Sequence, residues 1–322
     1  MPSPRRPDHR GPAVVERRPR LTPAETTQVR GLLAAAERAD GTPPVSEQGV
    51  LQLTAGAAAQ THLLAVADEQ VVGYGSLVPS DDPAGAAALV GELVVAPDAR
   101  GRGSGRALVE AALAARGPRA LRLWMHGDLP AARHLAEDLG LRRVRELLTL
   151  HTRLGTLPAL PEVPGTRVRA FRPGEDEEAW LAVNARAFAS HPEQGSMTLD
   201  DVLAREREPW FDPAGLLLVE DTSSGELLAS HWTKTTPSPR PEEAGPRGEV
   251  YVVAVDPPAQ GRGLGHLVTL AGLHHLAGRG VRDVDLYVES DNVRAVATYR
   301  RLGFERSGAD VLVEAPARGP GS

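Results

Sequence analysis

Cysteine is absent from this chain. Its absence excludes disulfide bonds, a thiolate nucleophile and thiolate-held zinc, so a group transfer must use another nucleophile or pass directly between two substrates. Aromatic residues are scarce, at 4%, and the apolar set is mostly Ala, Val and Leu. No apolar run comes near the ~18 residues that a helical membrane span needs. The formal net charge of −6 leaves no basic excess for holding nucleic acid through bulk electrostatics. Met1 to Arg20 is rich in Pro and Arg and has no apolar centre, which argues against a secretory signal. It reads as a disordered lead-in, and the chain as cytoplasmic.

What is present is a globular composition. The 322 residues are 41% hydrophobic and 24% charged, enough for one large domain or two ordinary ones. An internal echo favours two. Leu93-Val-Val-Ala-Pro-Asp-Ala-Arg-Gly-Arg-Gly-Ser-Gly-Arg106 and Val253-Ala-Val-Asp-Pro-Pro-Ala-Gln-Gly-Arg-Gly-Leu-Gly-His266 share apolar strand residues, a Pro-bearing turn, a Gly-Arg-Gly-x-Gly loop and the start of a helical run. A second echo follows each copy, Asp138-Leu-Gly-Leu141 and Arg301-Leu-Gly-Phe304, at the end of a helix. Repetition at such long spacing points to a duplicated domain rather than a solenoid.

Between the copies, Leu157-Pro-Ala-Leu-Pro-Glu-Val-Pro-Gly165 reads as a linker, because proline favours extended chain. The expected organisation is a lead-in over 1–15, a first domain over 16–155, a linker over 156–165 and a second domain over 166–316. Strands and helices alternate irregularly in both halves, which suggests an α/β (α+β) fold with a mixed central sheet and helices on both faces.

Gln260, Gly261, Arg262, Gly263, Leu264 and Gly265 lie between an expected strand and an expected helix. The glycines let the backbone turn sharply and approach a ligand closely. The helix start adds unpaired N–H groups, and Arg262 adds charge, so the segment is suited to a diphosphate. Gly101, Arg102, Gly103, Ser104 and Gly105 repeat the device in the first half. One isolated loop of this kind would read as a tight connection; its recurrence in the same context favours the cradle. The spacing is neither that of a dinucleotide-binding Rossmann loop nor that of a P-loop.

Gln260–Gly265 and Arg100–Gly105 resemble the Gln/Arg-x-x-Gly-x-Gly/Ala acetyl-CoA signature of the GNAT acyltransferase superfamily. Five further segments narrow the resemblance: Glu249-Val-Tyr-Val-Val-Ala-Val-Asp-Pro, Leu286-Tyr-Val-Glu-Ser-Asp-Asn-Val293, Thr298-Tyr-Arg-Arg-Leu-Gly-Phe304, His191-Pro-Glu-Gln-Gly195 and His231-Trp-Thr-Lys234. With them the chain resembles the mycothiol synthase family, tandem-domain GNAT enzymes of actinobacteria, over nearly its whole length after the lead-in. The Ala-, Arg- and Pro-rich composition agrees with such a source.

The resemblance implies two tandem GNAT domains, each with a mostly antiparallel sheet. It implies acetyl transfer from acetyl-CoA, as cosubstrate and without a metal, to the cysteine amine of cysteinyl-glucosaminyl-inositol. Partners are then small molecules, not nucleic acid or membrane, and the chain is expected to be a monomer.

Acetylation of an amine requires the amine to lose a proton and the departing thiolate to gain one. The resemblance implies Glu249 as the base, acting through water, and Tyr299 as the acid. Glu249 lies about 13 Å along its strand from Val253 at ~3.3 Å per residue, room for a thioester at one end and a pyrophosphate at the other. Backbone contacts to the acyl carrier are expected from Val253, Ala254, Val255 and the loop through His266. Asn292, Val293, Arg294, Ala295, Val296 and Ala297 are expected to flank the pantetheine.

Glu47, Glu193, Lys234, Glu249 and Tyr287 match acceptor contacts, with a surface charge as the plain alternative for Glu47 and Glu193. In the first half Leu93, Val94, Val95 and the loop through Arg106 match the carrier contacts. Leu89 stands opposite Glu249, and Ala136 opposite Tyr299. The first domain is therefore expected to bind acetyl-CoA without transferring acetyl. Two alternatives stay open: a tandem GNAT enzyme for another amine (a protein N-terminus, a polyamine or an aminoglycoside), and a non-catalytic acetyl-CoA sensor.

Overall fold

The computed structural model describes residues 13–55, 60–81, 87–189, 195, 197–237 and 245–317. Glu193, His191 and part of the Pro-rich stretch before Glu249 lie outside the described residues.

The chain divides into two compact units, one of Met1–Glu146 with Ala309–Ser322, the other of Leu147–Gly308. In unit 1 the elements are β1 (Val14–Arg18), α1 (Pro23–Asp40), α2 (Glu47–Ala55), β2 (Thr61–Ala67), β3 (Gln70–Asp81), β4 (Ala87–Val95), α3 (Ser104–Ala115), β5 (Ala120–Met125) and α4 (Pro130–Asp138). Antiparallel pairing joins β1 to β2, β2 to β3 and β3 to β4, and β4 lies parallel to β5. The last strand of this sheet comes from the far end of the sequence, where Val311–Ala315 of β12 (Glu305–Ala315) run antiparallel to β5.

Alternation along β2 explains the layers. Leu63 and Ala65 face Leu108, Val109 and Ala112 of α3, whereas Leu64 faces Val29, Leu32, Leu33 and Ala36 of α1. Those four α1 residues follow the spacing that makes one helical stripe. Thr22 and Glu25 start α1 with a capping box, which stabilises a helix by about 1 kcal/mol.

Unit 2 holds β7 (Thr166–Ala170), α5 (Glu177–Ala187), α6 (Leu199–Glu206), β8 (Leu216–Asp221), β9 (Leu227–Thr236), β10 (Arg247–Val255), α7 (Leu264–Gly278), β11 (Asp283–Glu289) and α8 (Val293–Arg301). β7, β8, β9 and β10 form an antiparallel series, and β11 runs parallel to β10. Beyond β11 comes Leu147–Arg153 of β6 (Arg142–Arg153). Leu264, Leu267 and Val268 of α7 cover one face of this sheet. On the other face Trp180, Trp232, Phe171 and Val252 form an aromatic-rich core under α5 and α6.

Two expectations are corrected. The division does not fall in the proline-rich 156–165 segment but within β6 and within β12, so each sheet takes its last strand from the other half of the sequence. Pairing partners far apart in the chain decide this, and no local composition marks it. The lead-in expected over 1–15 ends sooner: Val14–Arg18 is a strand held against His62–Val66. No helix among the described residues is long and apolar enough to cross a membrane.

Candidate active site

The site is built on β10. This strand pairs with β9 through Arg247–Val250 and again through Val252–Val255, with a register shift between Val250 and Val252. Tyr251 is thus the extra residue of a β-bulge, a feature that bends and twists a strand. On its other side β10 pairs with β11 only over Arg247–Val250. The edge from Tyr251 to Val255 diverges, and a diverging edge offers backbone donors and acceptors to an extended ligand. Val253, Ala254 and Val255 lie on this stretch.

In unit 1, β4 pairs with β5 over Ala88–Glu92, which leaves Leu93, Val94 and Val95 in the corresponding place. There β4 runs beside β3 from Ala87 to Val95 with no register shift. The bulge belongs to unit 2.

Both strands lead through a short turn, Pro97–Ala99 or Pro257–Ala259, into the glycine loops. Gly101 and Gly103 have φ of 72° and 88°, Gly261 and Gly263 both 83°, values that only glycine adopts without strain. A Cβ at any of these four would meet nothing within 4 Å, so the loops lie open outward from the chain. Gly103 caps α3 and Gly263 caps α7, neither with a side-chain bond, which leaves the first N–H groups available to an anion. Gly265 and His266 lie in the first turn of α7, Gly105 and Arg106 in that of α3. The cations differ in their ties. Arg100 is held by Asp40 through two bonds of 2.7 Å, and Arg106 reaches Asp138 at 3.0 Å.

Glu249 is half-buried near the start of β10. Its register partners are Lys234 on β9 and Asp285 on β11. Lys234 Nζ stands 4.7 Å from the Trp210 ring centre and 5.1 Å from that of Tyr251, a cation–π arrangement at the border of the aromatic core. Arg205 of α6 donates to Tyr251 Oη at 2.9 Å. Asp285 in turn pairs in register with His151 of β6 and accepts from its Nδ1 at 2.9 Å; Arg247 donates to the other carboxylate oxygen at 3.2 Å. Tyr287 lies two residues beyond Asp285 on the same face and is 47% exposed.

Tyr299 is buried on α8, with its ring edge-on to Phe304 at 5.8 Å. Burial pushes its phenol up to about 12, so it stays protonated through the physiological range. Asn292 caps this helix by accepting from the Ala295 N–H at 3.2 Å. Val293, Arg294, Ala295, Val296 and Ala297 form its first turn, in which Val296 is buried and Val293 exposed.

The structure therefore brings Lys234, Glu249 and Tyr287 onto one face of one sheet. Glu47 opens α2 in unit 1, beside Ser46, whose N–H donates to Glu92. Asp285, His151, Trp210 and Tyr251 were not singled out from the sequence. Tyr251 stood within the Glu249 motif, and Asp285 just before the Leu286 motif, but only strand register reveals that they flank Glu249. Among the described residues, no group of three or more His, Cys, Asp or Glu is arranged to hold a metal ion.

Two mixed sheets, each splaying beside a glycine-lined helix start, define a tandem acyltransferase fold. The model of the Acetyltransferase (GNAT) family matches residues 29–141 and 180–304, and the chain belongs to that family. Acetyltransferases of this kind use acetyl-CoA. A mycothiol acetyltransferase of Thermomonospora curvata is 50% identical over 300 residues, covering 92% of this chain and 95% of the relative. One from Nocardia farcinica is 51% identical over 302 residues, covering 92% and 96%. Among solved structures, a GCN5-related N-acetyltransferase from Sphaerobacter thermophilus superposes with a TM-score of 0.67 at 25% identity, over 98% of both chains.

Proposed function

We propose that the chain transfers acetyl from acetyl-CoA to the cysteine amine of cysteinyl-glucosaminyl-inositol, giving mycothiol and CoA, with the chemistry in unit 2. The observation that carries the location is the asymmetry between the units. Of the corresponding strands β4 and β10, β10 alone has a bulge against its antiparallel neighbour, and Glu249 and Tyr299 stand where unit 1 has Leu89 and Ala136. The acceptor is supported by half identity to mycothiol acetyltransferases over more than nine-tenths of both chains.

In this reading the pyrophosphate of acetyl-CoA meets the N–H groups at the start of α7 and the charge of Arg262. The pantetheine lies along the open edge of Val253–Val255 beside the first turn of α8. Glu249 takes the proton that the amine loses, through water, and the freed lone pair attacks the thioester carbonyl. The C–S bond breaks, and Tyr299 gives its proton to the thiolate. Lys234, Tyr287 and Glu193 serve the acceptor, whose hydroxyls and ammonium need polar partners. Unit 1 binds acetyl-CoA without turnover. The chain acts as a monomer in the cytoplasm.

The test is incubation with acetyl-CoA and cysteinyl-glucosaminyl-inositol, following CoA release and product mass. Acetylated product is the expected result. Turnover only with peptides, polyamines or aminoglycosides would overturn the acceptor, and binding of acetyl-CoA without any turnover would make the chain a sensor.

A further inference from the structure

Glu249 is not the only carboxylate on its row of the sheet. Across four strands, register aligns Lys234, Glu249, Asp285 and His151. Register neighbours on adjacent strands share a face and stand about 5 Å apart, so Asp285 sets a second negative charge directly beside Glu249. It does so with its own position secured. His151 Nδ1 donates to one carboxylate oxygen at 2.9 Å and Arg247 to the other at 3.2 Å, while His151 Nε2 lies 3.5 Å from Asp283.

We propose that Asp285, anchored by His151 and Arg247, is a positioning residue that strengthens Glu249 as a base by holding a fixed negative charge beside it. This rests on the assignment of Glu249 as the base. The physical reason is Coulombic. A carboxylate with a like charge as its neighbour gains more by accepting a proton than one standing alone. The charged groups on this face work in both directions. Lys234 and Arg247 favour the ionised Glu249, and Asp283 and Asp285 favour the protonated one. His151 meets the row through its hydrogen bond to Asp285. Tyr251 and Tyr287 border the row, and Arg205 reaches it from α6 through Tyr251.

Lys234 Nζ stands over the rings of Trp210 and Tyr251, and Asp285 is the register partner of Glu249 on the strand that also carries Tyr287. In the reaction the proton leaves the amine for Glu249, and Asp285 neither gains nor loses one.

The measurement is the pH dependence of kcat for the full chain, with saturating acetyl-CoA and cysteinyl-glucosaminyl-inositol. Asp285→Asn keeps shape and removes charge. It should move the acidic limb of the profile down by about 0.5–1 pH unit, with KM for acetyl-CoA unchanged. His151→Leu removes the hydrogen bond that disperses the Asp285 charge and should move the limb up. Opposite movements are the expected result, since loss of packing alone would lower the rate at every pH without moving the limb. An unmoved limb in Asp285→Asn, or movement of both variants in one direction, overturns the proposal. Glu249→Gln is measured alongside: if it keeps the wild-type rate, the base itself is misassigned and the proposal falls with it.

Discussion

Tyr299 and Ala136 end their helices in the same way. The carbonyl of Tyr299 accepts the N–H of Phe304 at 3.1 Å, and that of Ala136 accepts the N–H of Leu141 at 2.9 Å. These are the 6→1 bonds that close a helix before a left-handed glycine, here Gly303 and Gly140. The two residues are equivalent by backbone geometry, and one carries a phenol where the other carries a methyl group.

Removing that phenol's hydroxyl should therefore separate chemistry from packing. Tyr299→Phe keeps the ring against Phe304, so the melting temperature should hold while kcat falls about 10²-fold. Because burial holds the Tyr299 phenol up to about 12, its loss of a proton cannot produce an alkaline limb near the usual tyrosine value of ~10. A wild-type kcat profile that falls at pH 9–10 and becomes flat in Tyr299→Phe would contradict this placement.

The glycine loops should answer differently to the same substitution. Gly263→Val forces a β-branched residue into φ 83° and fills the space before α7, so KM for acetyl-CoA should rise at least tenfold, with loss of turnover. Gly103→Val makes the same change in unit 1. It should abolish one of two acetyl-CoA equivalents in a calorimetric titration and leave turnover largely intact. Equal loss of turnover in both variants would place chemistry in both units.

A stability prediction comes from the core of unit 2. His231 is fully buried on β9, its Nδ1–H donating to the Val268 carbonyl at 3.1 Å, and burial lowers it to about 4. A Cβ on Gly272 would lie 2.0 Å from that nitrogen. The ring is fixed and cannot retreat, so Gly272→Ala should destabilise unit 2 by about 3 kcal/mol, read as a lowered midpoint in thermal or denaturant unfolding. Gly278→Ala meets nothing within 4 Å and should change the midpoint little.

Unit 1 carries the opposite titration. His126 bridges Glu92 at 2.8 Å and Asp310 at 3.0 Å. Burial alone would lower it, but the bonds and charges of the two carboxylates prevail and raise it to about 9. The folded state then holds a proton that the unfolded chain releases near pH 6.5. This contribution is fully present below pH ~6.5 and is lost as pH rises through about 9, on the order of 3 kcal/mol in all. Denaturant unfolding of unit 1 should show that decline between pH 6.5 and 9. In His126→Gln the slope should vanish, and a wild-type stability independent of pH in this window would refute the charged bridge.

Much was legible along the chain because it depends on neighbours in sequence. The repeated loop, the helices that end at Gly140 and Gly303, and the replacement of Glu249 and Tyr299 by Leu89 and Ala136 are local patterns, and each was found in its expected place. Strand β1 and helix α2 were not read from the sequence. The first is short and specified by its partner β2, and the second follows Pro43-Pro44 with a weakly amphipathic run.

By itself the sequence determined that there are two copies of one glycine-loop domain and that only the second carries a glutamate and a tyrosine in the corresponding positions, Glu249 and Tyr299 against Leu89 and Ala136. Glycine and helix-start chemistry act within a few residues, so they can be read in one dimension. Tertiary structure alone decided the bulge at Tyr251, the use of Leu147–Arg153 in unit 2 and of Val311–Ala315 in unit 1, and the place of Asp285 between Glu249 and His151. Each depends on register between strands distant in the chain, as with His151 and Asp285, 134 positions apart. A shift of one residue there would turn every side chain to the opposite face.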